Sequence, residues 1–218
     1  LGSQNNTRAT PGRTSQEFNN IFAFAALKTD GSVISWGDSD SGGDQSSVAS
    51  ELKDVNQIFS NQKSFAALKT DGSVISWGDS NSGGDQSSVA LSLSKGVERI
   101  FSTVSAFAAL KNDGSIITWG NSDSGGDSSS VASFLSSGVV NVFSNRDSFA
   151  AIKSDGSVIT WGDSGGGGDS SSVRSSLSSG ISTIFSTGGA FAALKIDGSV
   201  ITWGYSDAAD SSSVESSL

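Results

Sequence analysis

The sequence predicts an all-β protein, a five-bladed β-propeller of about 42-residue repeats. The first observation is a motif, FAALKTDGSVISWG, that recurs with small changes in five units. The second is the spacing of one tryptophan per unit, at 41, 42, 42 and 42 residues. The third is the density of short β-branched and aromatic runs. The units start at Phe24, Phe65, Phe107, Phe149 and Phe191.

Each unit begins with two short strands, FAALK and SVITW or a close variant. An Asp-Gly pair separates them, at Asp30-Gly31 in the first unit. Asp-Gly is typical of a tight hairpin of type I′, because glycine adopts positive φ without steric cost. We therefore predict a hairpin at the start of every unit.

A glycine- and serine-rich loop follows the hairpin, GDSDSGGD in the first unit. The next segment, SSVASELKD or SSVASFLSSG, is long enough for one helical turn, and the aspartate before it would cap that turn. A third strand comes next, as VNQIFS, VERIFS, VVNVFS and ISTIFS. The strands are apolar on both faces, as expected of sheets packed between neighbours.

The chain ends predict how the ring closes. The last unit stops at Leu218 before a third strand, whereas FNNIF (18–22) precedes the first hairpin and resembles that strand. We predict that this N-terminal strand completes the C-terminal blade and closes the ring. A fragment of a larger ring and a strand exchanged between chains are the alternatives. Residues 1–16 are polar and aperiodic, a flexible lead-in, and residues 17–218 form the single propeller.

Composition excludes several classes of chemistry. The chain has no cysteine and no histidine, so disulfides, thiolate sites and Ser-His-Asp triads are absent. The net charge of −9 argues against binding nucleic acid. No apolar run is long enough for a transmembrane helix. The acidic, serine-rich composition is compatible with a secreted, extracellular or lumenal protein.

The loop DSDSGGD suggests a calcium site, but comparison of its copies argues against one. Only the last aspartate recurs in all five units, as Asp44, Asp85, Asp127, Asp169 and Asp210. Calcium requires six to eight oxygen ligands, several of them carboxylates. We therefore predict no metal and no cofactor, and we interpret this aspartate as a cap.

Other repeated residues also have structural interpretations. The five tryptophans occupy one position per unit, which indicates packing between blades rather than a light-sensing cluster or a sugar platform. The lysine ending FAALK is expected to pair locally. Neither the glycine runs nor the serine runs are accompanied by a phosphate-binding or catalytic partner.

The segment AALKTDGSVISWGDSDSGG followed by VNQIF resembles the repeat of the regulator-of-chromosome-condensation (RCC1) family. The resemblance covers residues 18–218 and is greatest to the short units of a secreted bacterial β-lactamase-inhibitor propeller. The chain departs from that family in its loop, with GGD for GQLG or GQT, and in having five units rather than seven. The resemblance implies a fold used to bind proteins.

Residues that differ between units are the candidates for function, since the fold does not dictate them. They lie in the loop between the IFS strand and FAALK, and five such loops would share one face. The predicted partner-binding residues are Asn61, Gln62, Lys63, Thr103, Val104, Asn145, Arg146 and Asp147; TGG (187–189) is the fifth loop.

The prediction for function is a non-catalytic protein-binding or scaffold module that acts either alone or as a subunit of a larger assembly. The alternative is a lectin-like propeller with repeated glycan pockets between blades. An enzyme that relies on aspartates alone would need a carboxylate pair outside the repeat, and none is evident.

Overall fold

The computed structural model describes residues 18–205 and contains fourteen short strands in that range. In chain order they are β1 Ala23–Leu27, β2 Val33–Gly37, β3 Val55–Ser60, β4 Ser64–Lys69, β5 Val74–Gly78, β6 Val97–Ser102, β7 Ala106–Lys111, β8 Ile116–Gly120, β9 Val139–Ser144, β10 Ser148–Lys153, β11 Val158–Gly162, β12 Ile181–Ser186, β13 Ala190–Lys195 and β14 Val200–Gly204.

The strands form five separate antiparallel sheets, one for each unit. Four sheets have three strands, in the orders β3-β4-β5, β6-β7-β8, β9-β10-β11 and β12-β13-β14. The first sheet contains only β1 and β2. The predicted all-β architecture of repeated units is therefore confirmed.

The predicted hairpins are present, but their turns are not of type I′. In the first unit the Lys28 N–H donates to the Ser32 carbonyl oxygen (2.9 Å), which leaves a three-residue loop. Only Gly31 in that loop has positive φ, at 78°, whereas a type I′ turn needs two such residues. A three-residue loop that ends in left-handed glycine agrees with these bonds.

The third strand of the repeat pairs with the hairpin that follows it in the chain. β3 pairs with β4 in register Ser60↔Phe65 and Ile58↔Ala67. A tight loop joins these two strands, whereas the link from β2 to β3 is much longer and crosses to the next sheet. Within residues 18–205 the last sheet consequently has three strands, and the first sheet has two.

This pairing corrects the predicted mode of closure. Residues 18–22 form no strand, and their hydrogen bonds are made to the first and second units. Asn20 Nδ2 donates to the Ser41 carbonyl oxygen, as Asn61 Nδ2 does to that of Ser82. FNNIF thus corresponds to FSNQK (59–63), which lies four residues later in the repeat than the sequence pattern suggests. Across residues 18–205 no strand pairing joins the last sheet to the first.

The hydrophobic core lies between consecutive sheets. We call the side of each sheet that carries the Phe–Trp pair its front face, and the opposite side its back face. In one cluster Leu68, Val74 and Leu93 of the second unit pack against Phe107 and Trp119 of the third. Equivalent clusters join the other consecutive units. From the second unit to the fifth, each front face is therefore covered by the unit that precedes it.

The loops after the hairpins contain short helical turns rather than long helices. The 3-10 turns are Ser39–Ser41, Ser80–Ser82, Ser87–Val89, Ser122–Ser124, Ser129–Val131, Ser171–Val173 and Ser176–Ser178; a π-type turn covers Ser164–Gly168, and α1 is Ala132–Leu135. Asp85 Oδ1 accepts the Ser87 N–H at 2.8 Å, and Asp44, Asp127 and Asp169 do the same in their units. The predicted N-cap is therefore placed one residue too early: Gln86, Ser128 and Ser170 stand at the N-caps of the turns that follow, without a side-chain cap bond. The aspartate instead accepts the N–H two residues later in these four units; Asp210 lies outside the described residues.

Candidate functional site

The loops between the IFS strand and FAALK lie side by side, as predicted from their place in the repeat. The Ile21 N–H donates to the Gln62 carbonyl oxygen (3.3 Å), and the Gln62 N–H donates to that of Val104 (3.3 Å). The Val104 N–H donates in turn to the Arg146 carbonyl oxygen (2.8 Å). Four units thus present one continuous row, which we call the tip row: Ile21, Gln62, Val104 and Arg146.

In units two to four the residue before the tip is buried and holds the loop in place. Asn61 and Asn145 have no exposed surface. Asn145 Nδ2 donates to the Gly166 carbonyl oxygen (2.5 Å), and its Oδ1 accepts the N–H groups of Asp147 (3.1 Å) and Ser148 (2.8 Å). These bonds satisfy the polar side chain, which is the usual condition for burying it.

Thr103 takes the same position in the third unit and makes equivalent bonds. Its hydroxyl donates to the Ser124 carbonyl oxygen (2.8 Å) and accepts the Ala106 N–H (3.1 Å). Asn61, Thr103 and Asn145 therefore shape the loops from inside, and their side chains are not presented to a partner. Asn and Thr therefore alternate at this position because either side chain can make the buried hydrogen bonds that hold the loop.

The remaining predicted residues reach the surface to different degrees. Lys63 and Arg146 are exposed, Gln62 and Asp147 are partly buried, and Val104 is nearly covered. Arg146 Nε lies 3.7 Å from Asp147 Oδ2, an exposed ion pair of small energetic weight. Asp147 also accepts the Ser124 hydroxyl at 3.2 Å, which fixes its carboxylate against the loop.

Ile21 of the tip row and its neighbour Phe22 are not among the residues predicted from the sequence, because the pattern FNNIF also suits a strand. Ile21 is 64% exposed and Phe22 is 49% exposed. Lys63 Nζ lies 5.8 Å from the centre of the Phe22 ring, within the range of a cation–π contact. The spacing N-x-x-A-F at Asn20, against N-x-x-S-F at Asn61 and Asn145, is the signal that could have identified them.

A cleft of about 680 Å³ lies between the third and fourth units, away from the tip row. Its lining includes Phe134 and Arg174, together with the carboxylates of Asp127 and Asp169. Phe134 is 53% exposed. The other units carry Glu51, Ser92, Ser176 and Ser217 in place of Phe134, so this lining is not repeated.

The aspartates of the hairpin turns have a common electrostatic setting. The Ser73 hydroxyl (2.6 Å) and N–H (2.9 Å) both donate to Asp71 Oδ1, and these bonds hold the pKa of Asp71 below its usual 3.8. The same pattern lowers the pKa of Asp30, Asp113, Asp155 and Asp197. Hydrogen bonds to the ionised form account for the direction. Across residues 18–205 no three acidic side chains converge as a metal-binding group.

Solved structures with a similar fold are known, although no family model and no curated protein matches the sequence. Human WBSCR16 aligns over 85% of this chain and 60% of its own, with 20% identity and a TM-score of 0.51. Yeast RCC1 (Prp20), solved with Kap60, aligns over 87% and 55%, with 17% identity and a TM-score of 0.54.

The fold is that of an RCC1-like β-propeller. The ectodomain of the Physcomitrella patens receptor kinase CR4 is also similar, at 16% identity and a TM-score of 0.50, over 85% of this chain and 49% of that one. The chain thus spans about half to three-fifths of the solved chains it resembles. At these identities the similarity concerns the fold alone. The β-lactamase-inhibitor relationship is not among these findings.

Within the part of the chain that the structure describes, no helix combines the length and the apolar character that crossing a membrane requires.

Proposed function

We propose that this protein is a non-catalytic protein-binding module and that it engages its partner through the tip row and the side chains beside it. The observation that carries the proposal is the backbone hydrogen-bonded series from Ile21 to Arg146. It turns four separate loops into one continuous surface. A partner can contact several units of such a surface at once, which single loops on a flexible chain would not allow.

The chemistry of this surface suits a protein. Exposed apolar side chains, Ile21 and Phe22, lie at one end of the row, with the Lys63 cation over the Phe22 ring. The exposed cation of Arg146 lies at the other end. Interfaces favour an apolar centre with aromatic and arginine side chains and a polar rim. The buried Asn61, Thr103 and Asn145 supply rigidity, which lowers the entropy lost on binding. Yeast RCC1, which shares the fold, is solved in complex with the protein Kap60.

The test is affinity capture from the native source with the full chain and two variants. The first variant, called the tip variant, carries Ile21→Ser in the tip row together with Phe22→Ser and Lys63→Ser beside it. The control carries Leu91→Ser, which removes an apolar side chain that is 92% exposed on a different segment. We expect a partner bound by the parent and the control, and at least tenfold weaker binding by the tip variant once both proteins are purified. Equal binding by all three would refute this site.

For the alternative, glycan binding, the candidate is one cleft rather than a repeated pocket in each unit. The cleft beside Phe134 combines an exposed aromatic ring with carboxylates and hydroxyls, groups able to bind a sugar. Because Phe134 and Arg174 are not repeated, a glycan site here would be single. A glycan array probed with the parent and with Phe134→Ala tests it. Binding that the substitution abolishes would support this function, and an array with no binding would eliminate it.

A further inference from the structure

The front face of the first sheet differs from the other four in being open. Phe24 is 45% exposed, Ile34 is 46% exposed and Trp36 is 49% exposed. The corresponding Phe65 and Trp77 of the second unit are 4% and 2% exposed, and the pairs in units three to five are also buried. We call Phe24, Ala26, Ile34 and Trp36 the open face.

The open face already has the geometry of its buried counterparts. The rings of Phe24 and Trp36 stack at 5.4 Å, as against 5.2 to 5.3 Å for the other pairs. The register Phe24↔Trp36 equals Phe65↔Trp77. No described residue accepts a hydrogen bond from the Trp36 indole N–H. The site is therefore preformed, with one donor and an apolar surface.

The other units show what such a face binds. In the third unit the Trp119 indole N–H donates to the Gly83 carbonyl oxygen at 3.0 Å, and Leu93 packs in the same cluster with no exposed surface. Each of the four buried faces has the same cover from the preceding unit: a glycine carbonyl and a leucine ten residues later. These pairs are Gly42 and Leu52, Gly83 and Leu93, Gly125 and Leu135, and Gly167 and Leu177.

The cover requires glycine for two reasons. Gly125 has φ of 91°, a conformation that other residues rarely adopt, and a Cβ there would lie 2.6 Å from Phe149 Cδ2. The other three covering glycines have φ of 92 to 100° and the same conflict with the next phenylalanine ring. In the fifth copy of the segment Ala208 stands ten residues before Leu218. This chain's own fifth copy therefore lacks the residue that the contact needs.

We infer that the open face binds, in trans, a glycine-bearing segment of a similar propeller repeat, with the pattern G-G-D-x-S-S-V-x-x-x-L. The partner's first glycine would accept the Trp36 N–H, and its leucine would cover Ile34 and Phe24. Such binding would repeat the contact that consecutive units of this chain make four times. The open face is separate from the tip row. A second copy of this chain is not the occupant, because its four glycine segments already cover its own sheets.

The test titrates the full chain with a synthetic peptide that has the sequence of residues 122–136, observed through the indole N–H signals in NMR. Trp36→Phe assigns the relevant signal. We expect the Trp36 signal to shift in a saturable manner and to become protected from exchange with water. Peptides carrying Gly125→Ala or Leu135→Ser should bind at least tenfold more weakly. So should a peptide with the sequence of residues 205–218.

Three results would overturn the inference. The first is an unchanged Trp36 signal at the highest soluble peptide concentration. The second is a Trp36 signal already protected in the free protein and exposed by removal of residues 206–218, which would mean that the chain covers its own face. The third is a molar mass that doubles with concentration unless Trp36 is replaced, which would identify a second copy. Loss of tip-row binding by the Ile21, Phe22 and Lys63 variant would leave all three unaffected.

Discussion

The indole N–H of Trp119 donates to the carbonyl oxygen of Gly83, which lies 36 residues earlier in the chain and in the preceding unit. This bond joins two features that the sequence shows separately, the tryptophan at the end of a strand and the glycine of a loop. The same bond recurs at Trp77, Trp161 and Trp203. It is the point at which one unit fixes the position of the next.

Replacement of Trp119 by phenylalanine should destabilise the protein by about 1 to 3 kcal/mol. The change removes part of a buried ring and leaves the Gly83 carbonyl without its donor. Trp36→Phe is the matched control, and it should cost less than about 0.5 kcal/mol because its indole is half exposed and no residue within 18–205 accepts its N–H. Urea unfolding of both variants measures the difference. Equal losses would contradict the role assigned to this bond.

Gly125→Ala should cost about 2 to 5 kcal/mol. The added methyl group meets the ring of Phe149, and alanine disfavours the left-handed backbone at this position. Gly188→Ala serves as the control, because a Cβ there meets nothing within 4 Å and φ is not in the left-handed range. Thermal unfolding monitored by circular dichroism distinguishes the two. A small effect at Gly125 would show that neighbouring units can shift apart easily.

Asn145→Ala should cost about 2 to 3 kcal/mol, since it strands the Gly166 carbonyl and two backbone N–H groups in a buried loop. Asn145→Thr should lose less, because Thr103 performs the same task in the third unit. Arg146→Ala, at the exposed tip, should leave stability within about 0.5 kcal/mol. Chemical denaturation gives all three values, and an Asn145→Ala variant of parental stability would disprove the structural role.

Asp54→Gly should stabilise the protein by about 1 kcal/mol. Asp54 is the one described non-glycine residue with positive φ, at 56°, and Gly96, Gly138 and Gly180 hold the corresponding place in later units. Glycine adopts this conformation without the steric cost that a side chain brings. The melting temperature should rise relative to the parent. A lower melting temperature would mean that the extra freedom of the unfolded glycine chain outweighs the relief.

Acid should weaken the fold through the hairpin-turn aspartates. Because their pKa values are lowered in the folded state, they stabilise it at pH above 3.8, and this contribution disappears as the pH falls below 3.8 through the lowered values. Removing the hydroxyl donors with Ser73→Ala, Ser115→Ala and Ser157→Ala should shift the acid unfolding midpoint to higher pH. Circular dichroism from pH 7 to about 2 records it. An unchanged midpoint would refute the linkage.

The repeat predicts much of the local structure because the interactions involved are local. Each copy of the motif shows the hairpin strands, the third strand and the bond from the loop aspartate to the N–H two residues later. All of these depend on residues a few positions apart. The turn type was wrong because Asp-Gly suits both a two-residue and a three-residue loop. The hydrogen bonds between the two strands determine which loop length forms, and the sequence does not show those bonds.

The candidate site was predicted only in part. Variation between units indicates the loops that form the tip row, but it does not separate Asn145, which is buried, from Arg146, which is exposed. Both differ between units, the first because two side chains satisfy one set of buried bonds. Burial is a property of the packed units, so sequence variation by itself does not reveal which of two neighbouring residues faces solvent.

Composition and short-range pattern are enough to predict the repeat, the strands of each unit and the lack of cysteine and histidine chemistry. Tertiary contacts show which hairpin the third strand joins, which face is open and, within residues 18–205, which sheet has only two strands. Those outcomes depend on contacts between residues some 40 positions apart, such as Trp119 and Gly83. The separation of two residues in the sequence does not show whether they are in contact. The packing of one sheet on the next determines which of them meet.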